Sequence, residues 1–111
     1  PADSNLVAVA QKTAADIFPP GHWHVGTVTS GDQFITQAAA LMDIYEEFRG
    51  LCVEMEGAAI AHTAYLNEVP FVILRTISDK ADSHAALDFQ SYIVKIVPRL
   101  TRTAERMLPM L

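Results

Sequence analysis

The sequence predicts an α/β layered domain built on a parallel sheet. Apolar, β-rich runs alternate with stretches of helical periodicity, and each run closes in a polar turn. Half of the 111 residues are hydrophobic and only 19% are charged, enough apolar surface to offset the cost of ordering the chain. Strands that alternate with helices are joined by right-handed crossovers, which makes neighbouring strands parallel.

The elements follow in order. Leu6, Val7, Val9, Ala10, Ala14 and Ile17 recur at helical spacing behind Ser4, a candidate N-cap, and Pro19-Pro20-Gly21 stops the pattern. Trp23 to Thr29 reads as a first strand, broken at Ser30-Gly31-Asp32. Ala38 to Phe48 forms an amphipathic helix with Gly50 as its stop. Leu51-Cys52-Val53 is a second short strand, ending in Glu54-Met55-Glu56-Gly57. Ala58, Ala59, Ala61 and Ala64 then make a small-residue helix that can pack close to a sheet. Phe71 to Ile77 is almost continuously apolar, as in a strand covered on both faces, and it delivers Ser78 and Asp79. Asp88 to Leu108 keeps helical periodicity through Phe89, Tyr92, Ile93, Ile96, Val97, Leu100, Ala104 and Leu108, with Pro98 as a point of bending. Three strands make a thin sheet, so a further portion of the domain is expected.

Composition narrows the partners. With 8 Lys+Arg against 13 Asp+Glu the formal net charge is −5, and no basic run is present. That argues against nucleic acid or an anionic membrane surface as partner. No apolar stretch approaches the ~20 residues of a membrane span. The single Cys52 suits a reducing compartment, and with no visible signal segment the expected location is the cytoplasm.

In open α/β sheets ligands gather at the carboxyl ends of the strands, where the polar clusters of this sequence fall. The first strand leads to Ser30 through Ile35, the second to Glu54-Met55-Glu56, the third to Ser78-Asp79 with Asp82 close behind. Asp79 and Asp82 fit either a turn cap or a carboxyl held protonated at the mouth of an apolar sheet, a general acid. Phe34 fits either the core or a platform for a planar base. Glu54 and Glu56, two apart, share one face of an extended segment, with Met55 opposite. Their carboxylates could bind a metal, clamp vicinal hydroxyls such as those of ribose, or pair with Arg75. No His or Cys stands where it would complete a metal shell, so hydroxyl recognition is the sharper reading. His22, His24 and His62 read as surface or structural residues, His84 as a loop residue, and Cys52 as an inert buried thiol.

Val53-Glu54-Met55-Glu56-Gly57-Ala58-Ala59-Ile60-Ala61-His62, then Val69-Pro70-Phe71, then Arg75-Thr76-Ile77-Ser78-Asp79-Lys80-Ala81-Asp82 closely resemble the bacterial 5′-methylthioadenosine/S-adenosylhomocysteine nucleosidases of the nucleoside phosphorylase superfamily. Ser30 to Ile35 resembles that family's base-binding loop. The resemblance implies a three-layer α/β/α domain with a mostly parallel central sheet, of which residues 1–111 are the C-terminal part. It implies hydrolysis of the N-glycosidic bond of methylthioadenosine or S-adenosylhomocysteine, releasing adenine. By carry-over Asp79 is the general acid that protonates adenine N7 and Ser78 positions it. Phe34 stacks on the base, Ile35 contacts it, Glu56 holds the ribose hydroxyls, Met55 lines the sugar, and Glu54 supports the sugar site.

No cofactor and no metal are implied, and the family's homodimeric state is the expected assembly. The family also uses an N-terminal segment with a glutamate that activates water. That half is expected to be missing here, so the chain alone is expected to be nearly inactive. Three alternatives stand beside this reading: a purine nucleoside phosphorylase, whose pattern commonly has His where Lys80 follows Asp79; a futalosine-type hydrolase; and a non-catalytic adenine-nucleoside-binding fragment.

Overall fold

The computed structural model describes residues 1–78 and 85–111, the side chains of 85–91 apart. Its order is α1 (Ser4–Ile17), β1 (Val28–Ser30), α2 (Ala38–Phe48), β2 (Cys52–Glu54), α3 (Gly57–Leu66) and α4 (Ala85–Met107), closed by a 3-10 turn over Leu108–Met110. No helix among the described residues is long and apolar enough to cross a membrane.

The two strands pair in parallel, with Val28 opposite Cys52, Thr29 opposite Val53 and Ser30 opposite Glu54. Both are shorter or later than the sequence suggests. The run from Trp23 to Thr27 stays outside the ladder, although Leu51 N–H still donates to Thr27 O at 2.8 Å. Strand length is set by the partner, and β2 cannot start earlier because the turn out of α2 occupies Arg49 and Gly50. That turn is itself a correction. The left-handed residue that ends α2 is Arg49, at φ 54°, whose N–H donates to Tyr45 O at 2.8 Å while its guanidinium lies 5.1 Å from the Tyr45 ring centre. Gly50 serves a close approach instead, because a Cβ there would run into the Thr29 side chain.

The third expected strand is absent: among the described residues the sheet has two strands, and Phe71–Ile77 joins no ladder. Its apolar run reports burial, which Val72, Ile73 and Leu74 partly have. A strand also needs a neighbour's backbone groups. The Phe71 carbonyl instead accepts the Asp3 N–H at 2.8 Å, tying the segment to the start of α1.

α1 is capped by Asp3 and not by Ser4, the Asp3 carboxylate accepting Leu6 N–H at 2.9 Å. The described part of α4, Ala85–Met107, takes in three residues ahead of the stretch that the periodicity marks and contains Pro98. It packs on α1. Among the described side chains of α4 those turned inward are Ile96, Leu100, Thr103 and Met107, so Thr103 and Met107 take the places that the sequence gives to Ala104 and Leu108. Met107, 5% exposed, is the one fully buried apolar side chain among the described residues; the other buried ones are polar, Thr13, Thr103 and Glu54.

α3 closes in a Schellman turn. Val69 N–H donates to Ala64 O at 2.9 Å and Glu68 N–H to Tyr65 O at 3.2 Å, with Glu68 left-handed at φ 55°. Its other end, at Gly57, abuts the carboxyl ends of both strands.

Candidate functional site

Parallel pairing brings the carboxyl ends of β1 and β2 to one edge, so the loop Gly31–Ile35 and the segment Met55-Glu56-Gly57 leave the sheet side by side. Gly31 N–H donates to Glu54 O at 3.0 Å and extends the ladder one step.

The Glu54 side chain is the centre of this edge and is only 1% exposed. Both of its oxygens accept the Gly57 N–H at 2.8 Å, and Oε2 accepts the Glu56 N–H at 3.2 Å. The Ser30 hydroxyl donates to Oε1, and Arg75 Nη1 lies 3.7 Å from Oε2. Burial by itself pushes this carboxyl up. The Ser30 hydroxyl, the Gly57 and Glu56 amides and Arg75 together outweigh burial and hold it below the ordinary carboxylate range. Glu54 is therefore an ionised internal acceptor with its lone pairs already used. Gly57 is buried against it: a Cβ there would sit 2.7 Å from Oε1.

Glu56 stands in the opposite condition. It is the N-cap residue of α3, its side chain makes no cap hydrogen bond, and that side chain is 61% exposed. Its Oε2 lies 3.2 Å from Arg75 Nη1 and accepts the Met55 N–H at 3.3 Å. An ion pair this exposed contributes little to stability. Arg75 orients the carboxylate. The two glutamates thus converge on one guanidinium but do not share a face, because β2 ends at Glu54 and the period of two ends with it.

A cavity of about 240 Å³ opens at the same edge, walled by Ser30, Gln33, Ile35, Ile44, Phe48 and Glu54 among others. Ile35 and Glu54 meet there. Phe34 is not part of the wall and is largely exposed, as is Met55. Ser78 is partly buried at the end of the Phe71–Ser78 segment. Asp79 lies outside the described residues, as do Lys80, Ala81, Asp82 and His84. His22, His24 and His62 are exposed. Burial, then the charge of Glu54, push the Cys52 thiol up against a weaker opposing effect of Arg75, which suits an inert thiol.

Sequence reasoning placed Ser30 and Gly57 inside its motifs but gave neither a role. The Ser30 hydroxyl also accepts the Ala58 N–H at 2.9 Å, across 28 positions of sequence. No local spacing announces such a bond. For Gly57 a signal exists: a glycine opening a helix where alanine would do better hints at a close neighbour.

The chain is similar to known proteins over nearly its whole length. The 5′-methylthioadenosine/S-adenosylhomocysteine nucleosidase of Exiguobacterium sp. is 38% identical over 113 residues, covering 95% of this chain and 48% of that protein. Among solved structures, the Helicobacter pylori nucleosidase with butyl-thio-DADMe-Immucillin-A superposes with a TM-score of 0.87 at 31% identity, over 99% of this chain and 47% of that one. The native futalosine hydrolase of Helicobacter pylori superposes with a TM-score of 0.87 at 30% identity, over 99% and 46%. The chain spans about half the length of the relatives it matches. These likenesses make the fold nucleoside phosphorylase-like. The profile of the phosphorylase superfamily matches residues 1–109, and the chain belongs to that superfamily.

Proposed function

We propose that this chain carries the base- and ribose-binding part of a 5′-methylthioadenosine/S-adenosylhomocysteine nucleosidase, an N-glycosyl hydrolase that releases adenine. The observation that carries the reading is the division of labour between two carboxylates. Glu54 is sequestered and saturated, while Glu56 is turned outward and oriented by Arg75, free to accept two vicinal hydroxyls. The names of the similar nucleosidases support the substrate class.

In this reading Asp79 is the general acid. Adenine leaves poorly as an anion, so protonation at N7 as the glycosidic bond breaks removes the charge it would carry, while the sugar gains oxocarbenium character. Ser78 positions Asp79, Phe34 stacks on the base and Ile35 contacts it. Glu56 holds the ribose hydroxyls, Met55 lies along the sugar, and Glu54 supports Glu56 from behind. The water-activating base comes from the part of the domain that the longer relatives have in addition. A cytoplasmic homodimer acting in methionine salvage completes the proposal. The Helicobacter pylori futalosine hydrolase superposes equally well, which favours a second reading in which the same edge serves hydrolysis of futalosine.

The test is adenine release from methylthioadenosine, with and without phosphate, by the protein in the form the cell makes. Release that does not depend on phosphate is expected. Asp79→Asn should lower it about 10²–10⁴-fold with ligand affinity retained. Glu56→Gln should chiefly weaken binding of the nucleoside. Unchanged turnover in the first variant and unchanged affinity in the second would remove both assignments; faster turnover of futalosine than of methylthioadenosine would select the second reading.

A further inference from the structure

We propose that Ser30 is a positioning residue for ribose binding: its hydroxyl bridges the Glu54 carboxylate and the Ala58 amide, and so keeps the Glu56 carboxylate off the start of α3 and available to the sugar. The inference rests on the nucleoside reading above.

The first amides of a helix need acceptors, which the N-cap side chain ordinarily supplies. In α3 the N-cap is Glu56, whose side chain makes no such bond. Remote groups do its work. Glu54 takes the Gly57 N–H at 2.8 Å, and Ser30 Oγ takes the Ala58 N–H at 2.9 Å from the end of the neighbouring strand. One hydroxyl can do this because it donates to the carboxylate and accepts from the amide at once. Glu54 also places a full negative charge at the positive end of the helix, where Glu56 would otherwise be drawn. The low pKa of Glu54 keeps that charge in place at neutral pH.

Alanine at position 30 removes both bonds. The Ala58 amide loses its acceptor and Glu54 loses a donor, and the side chain at the N-cap position, held outward only by an exposed ion pair with Arg75, is that of Glu56, a carboxylate that can turn back onto the helix amides. A glutamate folded onto the helix amides no longer faces the ribose. Threonine keeps a hydroxyl that can make both bonds.

The experiment measures adenine and methylthioadenosine affinity by calorimetry in the Asp79→Asn protein, which holds the nucleoside with turnover suppressed, with Ser30 intact and with Ser30→Ala or Ser30→Thr added, together with the exchange rate of the Ala58 amide. Ser30→Ala should bind methylthioadenosine about tenfold more weakly, the loss of one charge-assisted bond, while adenine affinity changes less than about twofold. The Ala58 amide should exchange faster in the same variant. Ser30→Thr should restore both. A general loss of folding would lower the two affinities together, and this result, or an unchanged ratio of the two affinities, would overturn the positioning role and leave the nucleoside reading intact. Failure of the Asp79→Asn protein with Ser30 intact to bind either ligand would overturn the nucleoside reading and the positioning role with it.

Discussion

At the ends of β1 and β2 the buried Glu54 carboxylate draws its partners from four other residues, Ser30, Glu56, Gly57 and Arg75, two of them far away in sequence. Between α1 and α4 the buried Thr13 and Thr103 return their hydroxyls to their own helices, to Val9 O at 2.9 Å and Arg99 O at 2.8 Å. Both regions bury polar side chains where an apolar core would be expected, and Glu54, Thr13 and Thr103 all find partners, while the neighbouring Thr29 Oγ1 of β1 is buried without one among the described residues. The difference is what the bonds fix. At the strand ends they join separate elements and set where α3 begins, so removing one moves a candidate ligand group. In the helix pair they satisfy a hydroxyl and leave position to packing, so removing one moves nothing.

The sharpest way to break the strand-end region is Gly57→Ala. Alanine is ordinarily the better helix residue by about 0.5–1 kcal/mol. Here its Cβ would meet Glu54 Oε1 at 2.7 Å, and the carboxylate cannot swing away without giving up its amide and hydroxyl donors. Overpacking should win, with a net loss of about 2 kcal/mol in the urea unfolding free energy. A variant as stable as the wild type would mean that Glu54 is free to move. A milder disturbance is acid. The folded-state pKa of Glu54 is depressed, so its contribution is fully present above the ordinary glutamate value of about 4.3 and is lost as pH falls through the lower folded value. The acid limb of a stability profile should therefore be shallower in Glu54→Gln than in the wild type. Parallel limbs would show that the carboxylate gains nothing from its donors.

Legibility in the sequence follows the same division. Helices α1 and α2 and the parallel pair β1–β2 were readable because periodicity and turn residues are local signals, although both caps fell one residue earlier, at Asp3 and Arg49, and the Val53–His62 motif marked the edge where Glu54 and Glu56 lie. The opposite environments of those glutamates were not readable, since they depend on β2 stopping at Glu54 and on a hydroxyl 24 positions upstream. Phe71–Ile77 misled for a related reason: apolar composition reports burial, whereas strand pairing depends on a neighbour that composition does not reveal. In α4 the stripe was assigned by hydrophobicity alone, which passes over Thr103, a residue that can be buried because its hydroxyl is satisfied within the helix.

That last point predicts the smallest effect and tests the helix side of the comparison. In Thr13→Val and Thr103→Val the β-branched shape is kept, and each carbonyl that loses the hydroxyl can still take its helical N–H, so no buried group is stranded. The Thr13 hydroxyl also points its one proton toward Met110 Sδ at 3.7 Å, a weak bond to sulfur shared with the Val9 carbonyl, and valine gives it up at little cost. Each valine should leave the urea unfolding free energy unchanged or raise it by up to about 0.5 kcal/mol, the gain of an apolar methyl less a weak local bond. A loss of more than about 1 kcal/mol in either variant would place a non-local role on that hydroxyl. The helix pair would then resemble the strand ends, and the contrast between a polar core that positions and one that only fills would fail.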